Sequence, residues 1–245
     1  SESARHYSEK LIYLPHCYQA NDDQQIISTE ACQRGDFGLP ADGAVICSFN
    51  RPEKFDPIMF ATWMRILQRV PNAVLWLLAS NRWAQENLRR EASAHGIEPS
   101  RLVFAGGLPK PQHLRRMQLA DVALDTRIYN GHTTTSDTLW AGVPVVTLIG
   151  RHFASRVSAS CLGAIGMPEL ITHTLGEYED LAVKLATDRA YRDAIRAKIE
   201  YNRLRQPLFD TRRFTRNLER AYAQAWRHYL AGDSAQTFTV DENLV

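Results

Sequence analysis

The segment Val122-Ala-Leu-Asp-Thr-Arg-Ile-Tyr-Asn-Gly-His-Thr-Thr-Thr-Ser-Asp-Thr-Leu-Trp-Ala-Gly-Val-Pro-Val-Val-Thr-Leu148 decides the fold of this chain. The apolar runs Val122–Leu124 and Pro144–Leu148 predict two short buried strands. Between them, Thr133–Ala141 predicts a helix that opens with polar residues and ends at Gly142. A strand, a helix and a second strand in this order are typical of a parallel βαβ unit.

The same alternation extends towards the N-terminus. The runs are short and lack in-and-out alternation, which is typical of parallel strands buried on both faces. We therefore predict the α/β class, with a Rossmann-like doubly wound sheet whose ligands bind beyond the carboxyl ends of the strands. The further predicted strands are Val45–Phe49, Val74–Ala79 and Leu102–Ala105, and the further predicted helices are Ile58–Val70, Trp83–His95 and His113–Ala120.

The remaining regions differ in character from this core. We predict a connector at residues 1–43, a Rossmann-like lobe at 44–206, a C-terminal helix at 207–230 and a loose tail at 231–245. After Leu148 the pattern predicts helices without further strands. These helices are Phe153–Ile165, Tyr178–Tyr201 with a break near Asp188, and Thr211–Leu230 with Asp210 as its N-cap.

The last predicted helix carries an aromatic stripe. Its members repeat at intervals of three and four residues, so they share one face. We interpret this face as core packing, with an interface to a lobe outside this chain as the alternative. The stripe consists of Phe214, Leu218, Tyr222, Ala225, Trp226 and Tyr229.

Composition narrows the class of protein. The 245 residues are 44% hydrophobic and carry a net charge of +2, which gives no general attraction for nucleic acid or an anionic membrane. The four cysteines lack zinc-ligand spacing, and no apolar run reaches the roughly 18 residues of a membrane span. Ser1 to Lys10 has no apolar centre of a signal peptide. We expect a cytoplasmic location, and the Ser at position 1 favours a domain cut from a longer protein.

The stretch Asn130–Asp137 is the first candidate for a ligand site. Gly131 permits a tight turn, the N–H groups of a first helical turn point outward, and Thr133 and Thr134 add hydroxyl donors. A phosphate or diphosphate fits such a helix start, although the same residues would also serve as an ordinary helix cap. A Walker-type P-loop is absent, which argues against ATP chemistry.

Two other loops carry matching chemistry. Arg51 and Lys54 follow the first Rossmann strand and are able to neutralise a diphosphate. His113 and Arg116 are three residues apart, so they share a helical face and are able to stack on and hydrogen-bond a base. Each of these residues alone also fits a surface charge or a structural histidine. Their conjunction at the ends of neighbouring strands favours a nucleotide site.

Several strings of this sequence resemble the C-terminal catalytic lobe of the O-GlcNAc transferase family, the SPINDLY/O-GlcNAc transferase type with GT-B fold. The resemblance runs from about Glu9 to about Tyr229. It is carried by residues 113–126, Asn130-Gly-His-Thr-Thr134, Leu139-Trp-Ala-Gly-Val-Pro-Val-Val-Thr147, Ala154-Ser-Arg-Val-Ser-Ala-Ser160, residues 70–78 and residues 177–185.

The resemblance implies that this lobe binds UDP-GlcNAc, while another Rossmann-like lobe supplies much of the acceptor site. The implied contacts all lie on the UDP part of the donor. The diphosphate would be bound by Lys54, Thr133, Thr134 and the His132 backbone. The ribose would be held by Asp137, with Lys110 nearby. Uracil would contact His113, Arg116 and the Leu108 backbone.

The implied reaction is inverting transfer of GlcNAc from UDP to a Ser or Thr hydroxyl of a protein, without a metal or another cofactor. The sequence agrees, since it has no Asp-x-Asp motif and its eight histidines are dispersed. In the family, candidate general bases lie in the preceding lobe and tetratricopeptide repeats lie further upstream. His16 in the connector is the one candidate base here, and a lone histidine is more often structural.

One residue departs from the family pattern. The family has Gln where this chain has Arg51, which adds a positive charge beside the diphosphate and allows a changed donor contact.

Other functions are also compatible with this lobe. Related proteins use GDP-fucose as donor or epimerise UDP-GlcNAc. A nucleotide-sugar sensor or a non-catalytic interaction module is the alternative outside the enzymes, against which the presence of Lys54, Thr133, Thr134 and Asp137 speaks.

Overall fold

The computed structural model describes Ala4, residues 6–79 and residues 81–243 of the chain. In this part, six strands form one parallel sheet in the order β4-β3-β2-β5-β6-β7, and two others, β1 and β8, pair separately. All five predicted strands are confirmed. The strands are β1 Ile12–Tyr13, β2 Val45–Ser48, β3 Val74–Leu78, β4 Leu102–Ala105, β5 Val122–Leu124, β6 Val145–Leu148, β7 Ile171–Thr172 and β8 Phe238–Thr239.

The predicted helices are also present, with small differences at their ends. The break near Asp188 is confirmed, since the Asp188 side chain accepts from the N–H of Tyr191 and begins a new helix. The helix predicted from Phe153 starts later, after a 3₁₀ turn at Phe153–Ser155. The helices are α1 Pro57–Arg69, α2 Arg82–Ala94, α3 Lys110–Met117, α4 Thr133–Trp140, α5 Val157–Ala164, α6 Leu175–Thr187, α7 Arg189–Arg203 and α8 Thr211–Leu230.

The sheet is doubly wound because the chain leaves its centre in two directions. From β2 the chain moves outward to β3 and β4, and from β5 it moves the other way to β6 and β7. With right-handed crossovers, this order places α1 and α2 on one face and α3, α4 and α5 on the other. Every residue of β2 is buried, as its apolar run predicts.

The two directions diverge between β2 and β5, which are direct neighbours with Ile46 opposite Val122. The loops that follow these two strands turn to opposite faces of the sheet and leave a crevice at their carboxyl ends. The predicted binding region after the strands therefore lies at a topological switch point.

Two predictions about the chain after Leu148 are wrong. β7 extends the sheet beside β6, and β8 pairs in parallel with β1 at the other end of the sequence. The tail is consequently not loose at Phe238 to Val240, because backbone bonds tie it to Leu11 and Tyr13 and the Val240 side chain is buried. Two-residue strands are too short to show a hydrophobic period, so the sequence hides them. Leu244 and Val245 lie outside the described residues.

The aromatic stripe of α8 is not core. Tyr222, Trp226 and Tyr229 are 64%, 58% and 71% exposed. The N-cap prediction is confirmed, because the Asp210 side chain accepts from the N–H of Arg213. The other members, Phe214, Leu218 and Ala225, are half-buried. Periodicity predicts that a helix has an apolar face but not which partner covers it, and the described chain leaves the three large rings of this face exposed.

None of the helices in the described ranges has both the length and the apolar character needed to cross a membrane.

Candidate functional site

Asp125, directly after β5, holds the floor of the crevice together. Its carboxylate accepts from the Gly131 N–H at 2.7 Å, from the Asn50 side chain at 3.3 Å and from the Thr147 hydroxyl at 2.8 Å. Burial raises the pKa of Asp125, and the hydrogen bonds from Gly131, Ser158 and Thr147 oppose that rise. One buried carboxylate thus joins the ends of β2 and β5 to β6 and to the loop before α4.

Gly131 is required by close packing. A Cβ atom at this position would lie 2.5 Å from Oγ1 and 3.1 Å from the backbone N of Thr135. Its φ angle is not positive, so close packing and not a left-handed backbone conformation explains the glycine here. The absence of a side chain lets the loop lie directly on the start of α4.

The start of α4 is open in the way that anion binding requires. His132 is the N-cap residue, and no side chain caps the helix. The nearby hydroxyls bond elsewhere, since Ser136 donates to the Thr133 carbonyl and Thr138 to the Thr134 carbonyl. The alternative of an ordinary side-chain cap therefore fails, and Thr133 and Thr134 stand at a helix start that presents N–H groups and a positive dipole end.

Lys54 is positioned beside this helix start. Its ammonium donates to the Asn130 carbonyl at 2.8 Å and to the Asn50 side chain at 3.3 Å, and lies 4.0 Å from the centre of the Tyr129 ring. Burial lowers the pKa of Lys54, nearby Asp125 raises it, and Arg51 lowers it further. The structure thus brings together the loops of Lys54 and Asn130, as predicted, with Arg51 exposed at the edge.

A second group lies at the end of β4 and the start of α3. Arg116 is buried, and its guanidinium donates to Nδ1 of His113 at 2.9 Å and to the Gly106 carbonyl at 2.7 Å. The His113 ring packs against Phe49 at 5.2 Å between centroids. Burial, with help from Arg116 and Lys110, lowers the pKa of His113 to about 4, so its ring is neutral. Arg116 holds His113 in place here, and a direct contact of Arg116 with a base stays a prediction.

The two groups are joined across the mouth of the crevice. Lys110 at the start of α3 forms an ion pair with Asp137 of α4 at 3.0 Å. Burial raises the pKa of Asp137, and the Lys110 ammonium opposes this. Leu108 lies in the loop before α3 and is 41% exposed. All the predicted site residues thus lie along the carboxyl edge of β2, β4 and β5, while their contacts with a ligand stay predictions.

The sequence did not point to the aromatic residues around His132. The rings of Tyr18, Tyr129 and Phe153 all contact the His132 ring edge-on, at centroid distances of 6.2, 5.3 and 6.2 Å. Tyr18 comes from the connector, and no local pattern links it to His132. Asp125 had a usable signal, because a carboxylate that directly follows a buried strand stands at the ligand edge of such a sheet.

The His16 side chain bonds to the C-terminal tail. Its Nε2 lies 3.1 Å from the Glu242 carboxylate in the tail, which favours the structural interpretation. Within the described ranges, no group of three or more His, Cys, Asp or Glu side chains is gathered as a metal site.

Comparison with known proteins finds one matching family and relatives that share one kind of name. The model of glycosyl transferase family 41 matches residues 28–218. A probable UDP-N-acetylglucosamine–peptide N-acetylglucosaminyltransferase of Arabidopsis thaliana is 42% identical over 97% of this chain, and one of Caenorhabditis elegans is 42% identical over 81%. The matches span only 25% and 17% of those relatives' lengths.

Solved structures with a similar fold include a member of the same kind of enzyme. An O-GlcNAc transferase of Thermobaculum terrenum has 31% identity and a TM-score of 0.75, over 90% of this chain and 41% of that one. An Anabaena protein solved with UDP and glucose has a TM-score of 0.60 over 90% of this chain and 65% of its own length. At 16% identity, the second comparison shows the shared fold alone.

Proposed function

Since this chain belongs to glycosyl transferase family 41 and has the Rossmann-like fold of a GT-B C-terminal lobe, we propose that it is the nucleotide-sugar-binding half of a protein O-GlcNAc transferase. The donor in this proposal is UDP-GlcNAc and the acceptor is a Ser or Thr hydroxyl. The names of the relatives at 42% identity support the donor and a peptide acceptor, and the name of the Thermobaculum structure supports transfer to an oxygen atom.

The observation that carries the proposal is the pairing of Lys54 with the uncapped start of α4 at the switch point. The Lys54 ammonium donates to the Asn130 carbonyl, three residues before the first residue of the uncapped helix α4. A diphosphate placed there would meet a cation, a helix dipole and the Thr133 and Thr134 hydroxyls. Arg51 adds a further positive charge at the edge.

These groups fit the charge that develops during transfer. The bond between the anomeric carbon and the diphosphate breaks, the acceptor oxygen bonds to that carbon from the opposite side, and negative charge grows on UDP. Lys54 and the helix start stabilise that leaving group most when the charge is fully developed. In our proposal they do so without a metal or another cofactor, and a base outside this chain takes the proton of the acceptor hydroxyl.

The uridine part of the donor would lie towards α3. The neutral His113 ring offers a flat apolar face for uracil, and the Leu108 backbone lies beside it in the loop before α3. In this proposal the Asp137 carboxylate, held by Lys110, accepts from the ribose hydroxyls. Arg116 either reads the uracil edge itself or acts by fixing His113.

The rest of the enzyme is also part of the proposal. Because the chain spans about a quarter or less of the two curated relatives, we place the acceptor site, the general base and any tetratricopeptide repeats in a preceding lobe and upstream of it. The exposed aromatic face of α8 would dock on that lobe. We further propose a cytoplasmic location, which the free thiols of Cys17, Cys32, Cys47 and Cys161 support.

Calorimetric titration of UDP, GDP and UDP-GlcNAc into this chain tests the donor assignment. We expect UDP to bind more tightly than GDP, and Arg116→Ala to lose that preference, with Arg82→Ala on the exposed start of α2 as the matched control. A preference for GDP would favour a fucosyltransferase instead. Absence of binding to any of the three nucleotides would contradict a preformed donor site and favour an interaction module.

A further inference from the structure

His132 has one ring nitrogen bonded and the other free. Nδ1 lies 3.0 Å from the Tyr18 hydroxyl, which comes from the connector 114 positions earlier in the chain. Nε2 is buried and has no hydrogen-bond partner among the residues that the structure describes. A buried N–H or ring nitrogen without a partner costs stability and calls for an explanation.

The protonation states of both groups determine which atom donates. Burial raises the pKa of Tyr18 to about 12, so the phenol keeps its proton at neutral pH. Burial and the nearby Lys54 lower the pKa of His132, so its ring is neutral and has one donor and one acceptor nitrogen.

The hydrogen bond between Tyr18 and His132 has two possible directions, and only one of them uses the hydroxyl proton inside the protein. If Nδ1 carried the ring proton, it would donate to the Tyr18 oxygen, and the hydroxyl proton of this 41% exposed side chain would be left to solvent. If the Tyr18 hydroxyl donates to Nδ1, both of these atoms are satisfied and the ring proton lies on Nε2.

We infer that Tyr18 is a positioning residue whose hydroxyl places the ring proton of His132 on Nε2, where it donates to an anionic oxygen of the bound nucleoside diphosphate. This inference rests on the proposed function. It adds a side-chain contact at the N-cap of α4, where the family resemblance implies only a backbone contact.

The surroundings of the ring favour an anionic acceptor. The rings of Tyr18, Tyr129 and Phe153 enclose His132, and the Tyr129 ring also lies 4.0 Å from the Lys54 ammonium. His132 and Lys54 therefore share one aromatic neighbour on the same side of the crevice. A phosphate oxygen that meets Lys54 and the helix start would also satisfy Nε2–H, whereas a cation would be repelled by both.

The test replaces Tyr18 by Phe, which keeps the ring and removes the hydroxyl, with Tyr229→Phe on the exposed face of α8 as the matched control. Nitrogen-15 NMR of the histidine side chains reports the tautomer in the ligand-free chain, and calorimetry reports UDP affinity. In the wild type we expect His132 to be protonated on Nε2. In Tyr18→Phe we expect a mixture of tautomers and an about two- to threefold loss of UDP affinity, because only the fraction of chains protonated on Nε2 is competent to bind, with an unchanged melting temperature.

The outcomes separate this inference from the proposed function. An unchanged tautomer in Tyr18→Phe overturns the positioning role, whatever happens to UDP binding. A changed tautomer with unchanged UDP affinity overturns the contact between Nε2 and the ligand. A wild-type chain that binds no UDP refutes the donor site and, with it, the contact between Nε2–H and a bound diphosphate, while the NMR spectra still decide whether Tyr18 sets the tautomer.

Discussion

Asp125 and Gly131 illustrate how single residues shape the site. Neither is proposed to touch the donor, yet the Asp125 carboxylate holds the Gly131 N–H and the Asn50 side chain, and Asn50 in turn accepts from Lys54. The ammonium position thus depends on a buried carboxylate behind it. At this scale, predictions concern groups whose charge or protonation the fold has changed.

Replacing Lys54 by Ala should reduce turnover more than binding. In a protein that contains both lobes, we expect kcat to fall by about 10²–10³-fold, because the leaving group gains its full charge only in the transition state. UDP affinity of this chain should fall less than about tenfold. Lys10→Ala in the exposed connector is the control for loss of a positive charge. Equal losses in turnover and UDP affinity would show that Lys54 acts on the ground state alone.

His113 should make stability depend on pH in the acid range. Its pKa is about 4 in the folded chain and about 6.5 when exposed, so between these values the unfolded chain binds more protons. The contribution of the neutral His113 to the free energy of unfolding should therefore be complete above about pH 6.5. It should be lost as the pH drops towards 4, which lowers the free energy of unfolding by on the order of 2 kcal/mol.

Urea unfolding at several pH values checks this. His113→Gln should lose less stability than the wild type between pH 6.5 and 4, whereas His173→Gln, which replaces an exposed histidine, should follow the wild type. If the free energy of unfolding of His113→Gln depends on pH as that of the wild type does, then the folded chain does not lower the pKa of His113.

At the scale of elements, α8 differs from the helices of the Rossmann lobe. The apolar face of α1 packs on α6, where Trp63 donates to the Tyr178 hydroxyl, and the Trp63 side chain is fully buried. On α8, Trp226 stacks on Tyr229, and both rings stay open to solvent. The two helices have similar patterns in the sequence, and only the surrounding chain distinguishes them.

Trp226→Ser should leave the stability of this chain nearly unchanged. We expect a difference of less than about 0.5 kcal/mol in the free energy of unfolding, because the exposed ring loses little contact. Trp63→Ser, the buried counterpart, should cost about 3–5 kcal/mol. When the preceding lobe is attached, Trp226→Ser should lower stability measurably. A loss above about 2 kcal/mol in this chain alone would mean that the stripe is core after all.

At the scale of the whole molecule, the two ends of the chain meet. β1 pairs with β8, and Glu242 in the tail binds His16, Asn217 and Arg220. The connector then continues from His16 to Tyr18 at the start of α4. The tail therefore helps to hold the segment that reaches the candidate site.

Val240→Ala should destabilise this junction. Val240 is buried at the end of β8, so we expect a loss of about 1–2 kcal/mol in the free energy of unfolding. Amide exchange should be faster at Phe238, which donates to the Leu11 carbonyl, and at Leu11, which donates to the Thr237 hydroxyl. Thr239→Ala, at the exposed neighbouring position, should change neither quantity by a comparable amount. Unchanged exchange at Leu11 in Val240→Ala would contradict the role of the tail in ordering the connector.

The sequence by itself determined five of the six strands of the main sheet, the helices between them and the edge of the sheet where we propose that a ligand binds. These features depend on local information, since apolar runs, helix periodicity and capping residues act within about 20 positions of one another. The sequence also predicted that Lys54, His113 and the helix start at Thr133 would share that edge. The proposed roles of these residues, and the division of the chain at positions 43, 206 and 230, stay predictions.

The tertiary structure alone decided which distant residues meet. The Tyr18 contact with His132, the β1–β8 pair and the bonds of Asp125 join positions whose spacing in the sequence carries no period. It also decided that the three large rings of the α8 stripe, Tyr222, Trp226 and Tyr229, face solvent, because burial depends on what packs against a helix and not on the helix's own pattern. Long-range contacts form only when the sheet has brought the loops together, so no local signal could predict them.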